Sequence, residues 1–208
     1  FMDSNKTRDR TSEELLIRKN EFLKICDVLD ELNINYFLQT GVLLGAVREQ
    51  NFVKWDWGVD ISVFTDEFFN KIDPLTELLK KAGFKILDVK KNKNDFKVYF
   101  MGECPIEVTG YTVFAWNYSK IKDVYWRQDY SVPSKFLKNF STVNLFGRKF
   151  KCPSPPEEYL TYAYGNWRKP IRTSDKSLYN SDAYMNKKIS FLRNFINKVK
   201  KKIYSMLR

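Results

Sequence analysis

The chain contains no histidine among its 208 residues. That absence removes the imidazole base of Ser-His-Asp and Cys-His nucleophile systems. It also removes every histidine-containing zinc site. Cysteine is scarce. Cys26, Cys104 and Cys152 are far apart, with no C-x-x-C pair, so a four-cysteine zinc site is excluded as well. An odd, widely spaced set reads as free thiols in a reducing compartment, each a small core residue. No apolar run approaches the roughly 18 residues that mark a membrane span. No secretory signal opens the chain, whose Phe1-Met2 start reads as that of a trimmed domain. The expected location is cytoplasmic. What remains for chemistry is oxygen. A bound metal would be a hard ion such as Mg²⁺, Mn²⁺ or Ca²⁺, and proton transfer would fall to Asp, Glu, Lys, Tyr or water.

Hydrophobic residues make up 43% of the chain and charged residues 29%, a globular balance at a length that suits one domain. The net charge of +11 is unevenly spread. Between Lys187 and Arg208 eight residues are Lys or Arg and none is Asp or Glu, which leaves the body only mildly basic. Residues 182–207 carry Leu192, Phe195, Ile196, Val199, Ile203 and Met206 at helical spacing. The organisation expected is a catalytic domain over 1–181 and a basic amphipathic helix over 182–208. Such a helix suits an anionic membrane surface, on the inner face of the plasma membrane, and equally suits packing on its own domain. RNA ranks third, since charge alone is poor evidence.

Thr11 and Glu14 fit a capping box that opens a helix over 11–32, with Leu15, Phe22, Cys26, Leu29 and Leu32 as its apolar stripe. A short strand is expected over 34–38 and a helix from Gly41 to about Asn51. In the strand expected over 59–64, Val59, Ile61 and Val63 share one face and Asp60, Ser62 and Phe64 the other. Asp66 reads as the N-cap of a helix that runs to about Ala82, with a kink or split at Pro74. Strands are expected over 84–89, 96–101 and 106–113, the first two joined by a KKNKND tip, and a strand pair over 141–151. Pro156 and Gly165 bound a final helix of the body. Helices first and a mixed sheet after them indicate an α+β fold.

The chemistry concentrates in TGVLLGAVREQNFVKWDWGVDISVF. Asp60 interrupts an apolar strand and Asp56 precedes it. A buried carboxylate is costly unless paired or metal-bound, and two brought together repel without a cation. Four extended residues span roughly 13 Å, so a shared ion requires the chain to bend, and Gly58 is where it can. Glu107, within PIEVTGY, is a third carboxylate among β-formers. The alternative is that Asp56 caps a turn while Asp60 and Glu107 pair with lysines. Gly41 opens a helix whose free N–H groups suit phosphate. Arg48 and Lys54 are phosphate partners by charge, and Trp55 and Trp57 are stacking candidates by position.

GVLLGAVREQNFVKWDWGVDI resembles the LicD family, which includes fukutin and the fukutin-related protein. The family carries G-x-LLGA-x-R, a short loop, and W-D-x-D-x-D. A second signature, Y-G-x-x-W-x-x-P closing an aromatic-rich helix, corresponds to YLTYAYGNWRKP. The resemblance covers residues 15–170 and implies a nucleotidyltransferase-like mixed sheet flanked by helices. It also implies transfer of a phospho-alcohol, such as phosphocholine or ribitol phosphate, from a CDP-linked donor to a sugar hydroxyl, with release of CMP. The acceptor would be a cell-surface glycan or glycolipid. By position Asp56, Asp60 and Glu107 would hold Mg²⁺ or Mn²⁺ and carry catalysis, and Gly41, Arg48, Lys54, Trp55 and Trp57 would line the donor. Gly58 stands where the family has its middle acid. Two other readings therefore stay open: an impaired nucleotide- or glycan-binding module, and a nucleotidyltransferase acting on RNA or a small molecule.

Overall fold

A computed structural model describes residues 8–56, 58–92, 95–102, 110–127 and 130–172, the side chains of Asp95 and Phe96 excepted. Trp57, Cys104, Glu107 and the helix expected over 182–207 lie outside the described residues.

Helix α1 spans Ser12–Glu31. Its capping box is present in full: Glu14 N–H donates to Thr11 Oγ1 at 3.2 Å, and Thr11 N–H donates to Glu14 Oε2 at 2.7 Å. Its buried stripe includes Phe22, Ile25, Cys26 and Leu29, and it also includes Arg18. Strand β1 is Tyr36–Leu38 and α2 is Thr40–Glu49. Strand β2 is Gly58–Phe64. The helix expected from Asp66 is broken differently. Thr65–Phe68 form α3, Phe69–Lys71 a 3₁₀ turn, and Ile72–Lys81 α4. Phe64 occupies the N-cap of α3 without a side-chain bond, and Asp66 lies in the first turn, where its charge still suits the helix dipole. Pro74 is the third residue of α4, where its missing N–H would have no partner anyway. The split therefore falls before the proline.

Strands β3 (Lys85–Asn92) and β4 (Asp95–Met101) form a hairpin longer than expected, pairing as far as Asn92 with Asp95. Strand β5 is Gly110–Ser119, and β6 (Val124–Arg127) and β7 (Tyr130–Pro133) follow it. The main sheet runs β1-β2-β5-β4-β3, with β6 added to the far end of β5 and β7 to β6. Among the described residues only β2 and β5 pair in parallel. Strands β8 (Phe140–Leu145) and β9 (Arg148–Pro153) make a separate hairpin. Helix α5 is Pro156–Tyr164, with the bounds that its proline and glycine mark. The α+β reading holds.

The sheet has two unlike faces. Val59, Ile61, Val63, Val98, Phe100, Tyr111 and Val113 are completely buried on one. Phe100 and Tyr111 stack there, Phe84 meets both rings edge-on, and the Tyr111 hydroxyl donates to Glu21 of α1 at 2.6 Å. Helix α4 closes this side with Ile72, Leu75 and Leu79. Cross-strand register puts Asp60 beside Thr112 and Tyr99, and Ser62 beside Phe114 and Lys97, on the other face. That face bears the polar groups. The β8–β9 hairpin is fastened to α1 by Arg148, which pairs with Asp27 at 2.9 Å and with Asp30.

Candidate active site

Two glycines of α2 explain why the first motif has its spacing. Gly41 and Gly45 are four residues apart, on one face of the helix. A Cβ on Gly45 would lie 2.3 Å from the Asn51 carbonyl oxygen and 3.0 Å from the Val53 nitrogen. A Cβ on Gly41 would lie 2.1 Å from Asp56 Oδ2. Their bare surface lets the segment from Asn51 to Asp56 lie flat along the helix. It also turns the Asp56 carboxylate toward the first turn of α2, the end that favours an anion. Thr40, which opens that turn, holds φ at +52°, a costly conformation for a β-branched residue.

Behind the acidic segment sits Arg18, 2% exposed. Its guanidinium donates to the carbonyls of Asp56 (2.8 Å) and Gly58 (2.6 Å) and lies 4.5 Å from the Phe52 ring centre. Burial pulls its pKa down, and the nearby Asp56, Tyr111 and Asp60 push it back up. An arginine stays charged under such pressure. Arg18 thus fixes both ends of the bend that carries Asp56 to Gly58 and sets a positive charge near both aspartates. The sequence reading missed it. The available signal was its place in the apolar stripe of α1, between Leu15 and Phe22.

Asp60 is half-buried on the polar face of β2. Gly58, two residues before it on the same face, pairs in register with Gly110. The nearest atom to a Cβ on Gly58 would be the Gly110 carbonyl oxygen at 4.0 Å, so the space is open. A Cβ on Gly110 would lie 2.7 Å from the Tyr99 ring, which leans over that glycine. One step along, the Ser62 hydroxyl donates to Gln39 Oε1 at 2.9 Å and accepts from Trp116 Nε1 at 3.3 Å. Gln39 Nε2 is buried with no hydrogen-bond partner among the described residues.

The other expected site residues are placed as follows. Arg48 donates to Glu49 Oε1 through Nε (3.1 Å) and Nη2 (2.5 Å), and to the Trp167 carbonyl through Nη1 at 3.0 Å. Three of its five donors are thus engaged, and it ties the first motif to the second. Trp167 is buried, and its Nε1 donates to Thr161 at 3.2 Å. Trp55 is half-buried between Arg48 and Arg172, whose guanidinium carbons lie 6.0 and 5.2 Å from its ring centre. Lys54 is exposed. No group of three metal-ligating side chains occurs among the described residues. Of the expected ligands Asp56 and Asp60 lie within the described residues, and carboxylates so few match the chemistry of Mg²⁺, which takes one or two of them and otherwise water and substrate phosphate.

Comparison with known proteins bears on this arrangement. Residues 33–155 match the family described as LicD/FKTN/FKRP, nucleotidyltransferase domain. Ribitol 5-phosphate transferase FKRP of Mus musculus is 22% identical over 147 residues, which cover 68% of this chain and 30% of that protein. Uncharacterized protein RT0683 of Rickettsia typhi (strain ATCC VR-144 / Wilmington) is 27% identical over 180 residues, covering 80% of this chain and 52% of that one. The chain thus spans about a third to a half of these relatives' length. Among solved structures, the lincomycin-bound lincosamide antibiotic adenylyltransferase LnuA superposes with a TM-score of 0.47 at 18% identity, over 76% of this chain and 89% of that one. The family match takes in more than half of the chain, including α2, the acidic segment and the polar face of the sheet, and the chain belongs to the LicD/FKTN/FKRP family.

Proposed function

We propose that this chain transfers a phospho-alcohol, ribitol phosphate or phosphocholine in type, from a CDP-linked donor to a sugar hydroxyl of a cell-surface glycan, with release of CMP. One observation carries the reading: Asp56 is turned toward the start of α2 while Asp60 stands on the polar face of the parallel β2–β5 pair. Membership of the family and the likeness to a ribitol 5-phosphate transferase support it. Phosphoryl transfer needs positioning and charge neutralisation more than a histidine. Asp60 accepts the proton of the attacking hydroxyl, or shares that role with Glu107. Asp56 and Asp60, with Glu107, would hold Mg²⁺ or Mn²⁺, which when bound shields the diphosphate charge. The first turn of α2, free of side chains at Gly41, offers N–H groups to the donor phosphates. Trp55 offers a face for stacking.

Gly58 favours a second reading, a module that binds the same ligand without turnover. The experiment is CMP release from CDP-ribitol or CDP-choline with a glycan acceptor and Mn²⁺. Turnover that falls at least a hundredfold in Asp60→Ala, with an unchanged Tm, supports transfer. Donor binding without CMP supports the module.

A further inference from the structure

The hairpin β6–β7 delivers one more cation to the polar face. Arg127 ends β6, and its guanidinium carbon lies 3.5 Å from the centre of the Phe114 ring, 5.7 Å from Tyr130 and 5.9 Å from Trp116. Register fixes the face. Asn117 pairs with Trp126, which sets Arg127 opposite Trp116, and Phe114 pairs with Ser62. Ser62 is two residues, roughly 7 Å, along β2 from Asp60. Guanidinium groups have five donors and no acceptor. Among the described residues no hydrogen bond or ion pair engages those of Arg127, and its Nε is buried without a partner. Phe114 and Trp116 are themselves buried, and the contacts that hold the group among the described residues are with rings. A guanidinium flat against a ring keeps its edge free for a two-pronged bond to an anion. Gln39, whose buried Nε2 also lacks a partner, lies on the other side of the Ser62–Trp116 bond.

We infer that Arg127 is an anion-binding residue that takes a phosphate or diphosphate group onto the polar face that also carries Asp60. In the transfer reading, on which this role rests, that group is the donor's diphosphate. Arg48, the arginine that the motif suggested, has three of its five donors engaged by Glu49 and the Trp167 carbonyl, whereas those of Arg127 are engaged by none of the described residues.

The test is binding of inorganic pyrophosphate to the whole chain in EDTA at 150 mM salt, followed by calorimetry and by the Nε–Hε signal of Arg127 in NMR. Cytidine serves as the phosphate-free arm. The expected result is saturable pyrophosphate binding that moves the Arg127 signal, a loss of tenfold or more in Arg127→Met, and partial retention in Arg127→Lys. Lys120→Met, which removes one charge from an exposed turn, leaves binding unchanged, and cytidine affinity does not distinguish the variants. If Arg127→Met fails to fold, the wild-type NMR signal decides alone. Absence of pyrophosphate binding, equal affinity in a folded Arg127→Met, or an unmoved Arg127 signal at saturation overturns the assignment. Pyrophosphate binding through Arg127 without CMP release from any CDP-alcohol leaves the anion site standing and overturns the transfer reading instead.

Discussion

Gly58 is the residue on which the strength of the site turns. It lies in an extended strand, and among the described residues a Cβ there would meet nothing closer than the Gly110 carbonyl oxygen at 4.0 Å. Gly58→Asp would set a second acid two residues before Asp60, on the same face. Without an ion the pair repels and the Tm falls. With Mn²⁺ added the Tm recovers, and the affinity for the ion rises roughly tenfold because another charged oxygen ligand joins the site. Thermal shift with and without Mn²⁺ checks both halves. An affinity equal to that of the wild type would mean that Asp60 does not face the ion. Asp60 could be named from sequence because a lone acid in an apolar strand is conspicuous. Arg18 left a single trace, a charge inside the apolar stripe of α1, and Arg127 left none. Each is an ordinary arginine until the fold buries one against backbone carbonyls and lays the other on a ring.

Elements are joined by bonds that their own patterns do not reveal. The contact between Arg48 and the Trp167 carbonyl links α2 to the turn after α5, two segments more than a hundred residues apart. Arg48→Ala removes a charged, partly buried hydrogen bond and should cost about 1.5–3 kcal/mol, read as a lower urea midpoint, with Arg48→Lys recovering part of it. The start of α1 carries a pH dependence. The Arg8 guanidinium beside Glu14, and the Thr11 N–H, hold the carboxyl at about 2, against an ordinary 4.5. A depressed acid contributes fully above its ordinary value and loses that contribution as pH falls toward the folded one. Wild type should therefore lose more stability than Glu14→Gln between pH 4.5 and about 2, by denaturant midpoints across that window. Equal losses would show that the cap carries no acid-sensitive stability.

The boundaries of α1 and α5 were legible because Thr11, Glu14, Pro156 and Gly165 are local signals with local causes. The break before α4 was not. Pro74 is conspicuous in the sequence, yet the helix tolerates it in a first turn, and the chain breaks at Phe69–Lys71 so that Phe68 and Ile72 can both be buried. Strands β6 and β7 were missed because VYWRQDYSVP lacks clean alternation. Their pairing depends on the end of β5 extending beyond the sheet.

At the scale of the whole molecule, two thiols lie inside the described core, Cys26 and Cys152. Burial pushes Cys26 up to about 12 and Cys152 up to about 11, and both are completely buried. Neither should react with an aromatic disulfide at pH 8 until denaturant unfolds the chain, and labelling followed by peptide mass analysis separates them from Cys104. Early labelling of Cys26 would mean that α1 lifts from the sheet in the native state. Among the described residues no helix is long and apolar enough to cross a membrane.

The polar face of this sheet carries the functional claim, and the fate of phosphorus tests it most directly. Phosphorus-31 NMR of the chain with CDP-ribitol, Mn²⁺ removed by chelation before acquisition, and a glycan acceptor should show the diphosphate signals replaced by CMP and a new phosphodiester in equal amounts. Diphosphate signals that persist with CDP-ribitol and CDP-choline alike, while a nucleoside triphosphate is consumed with release of pyrophosphate, would contradict it.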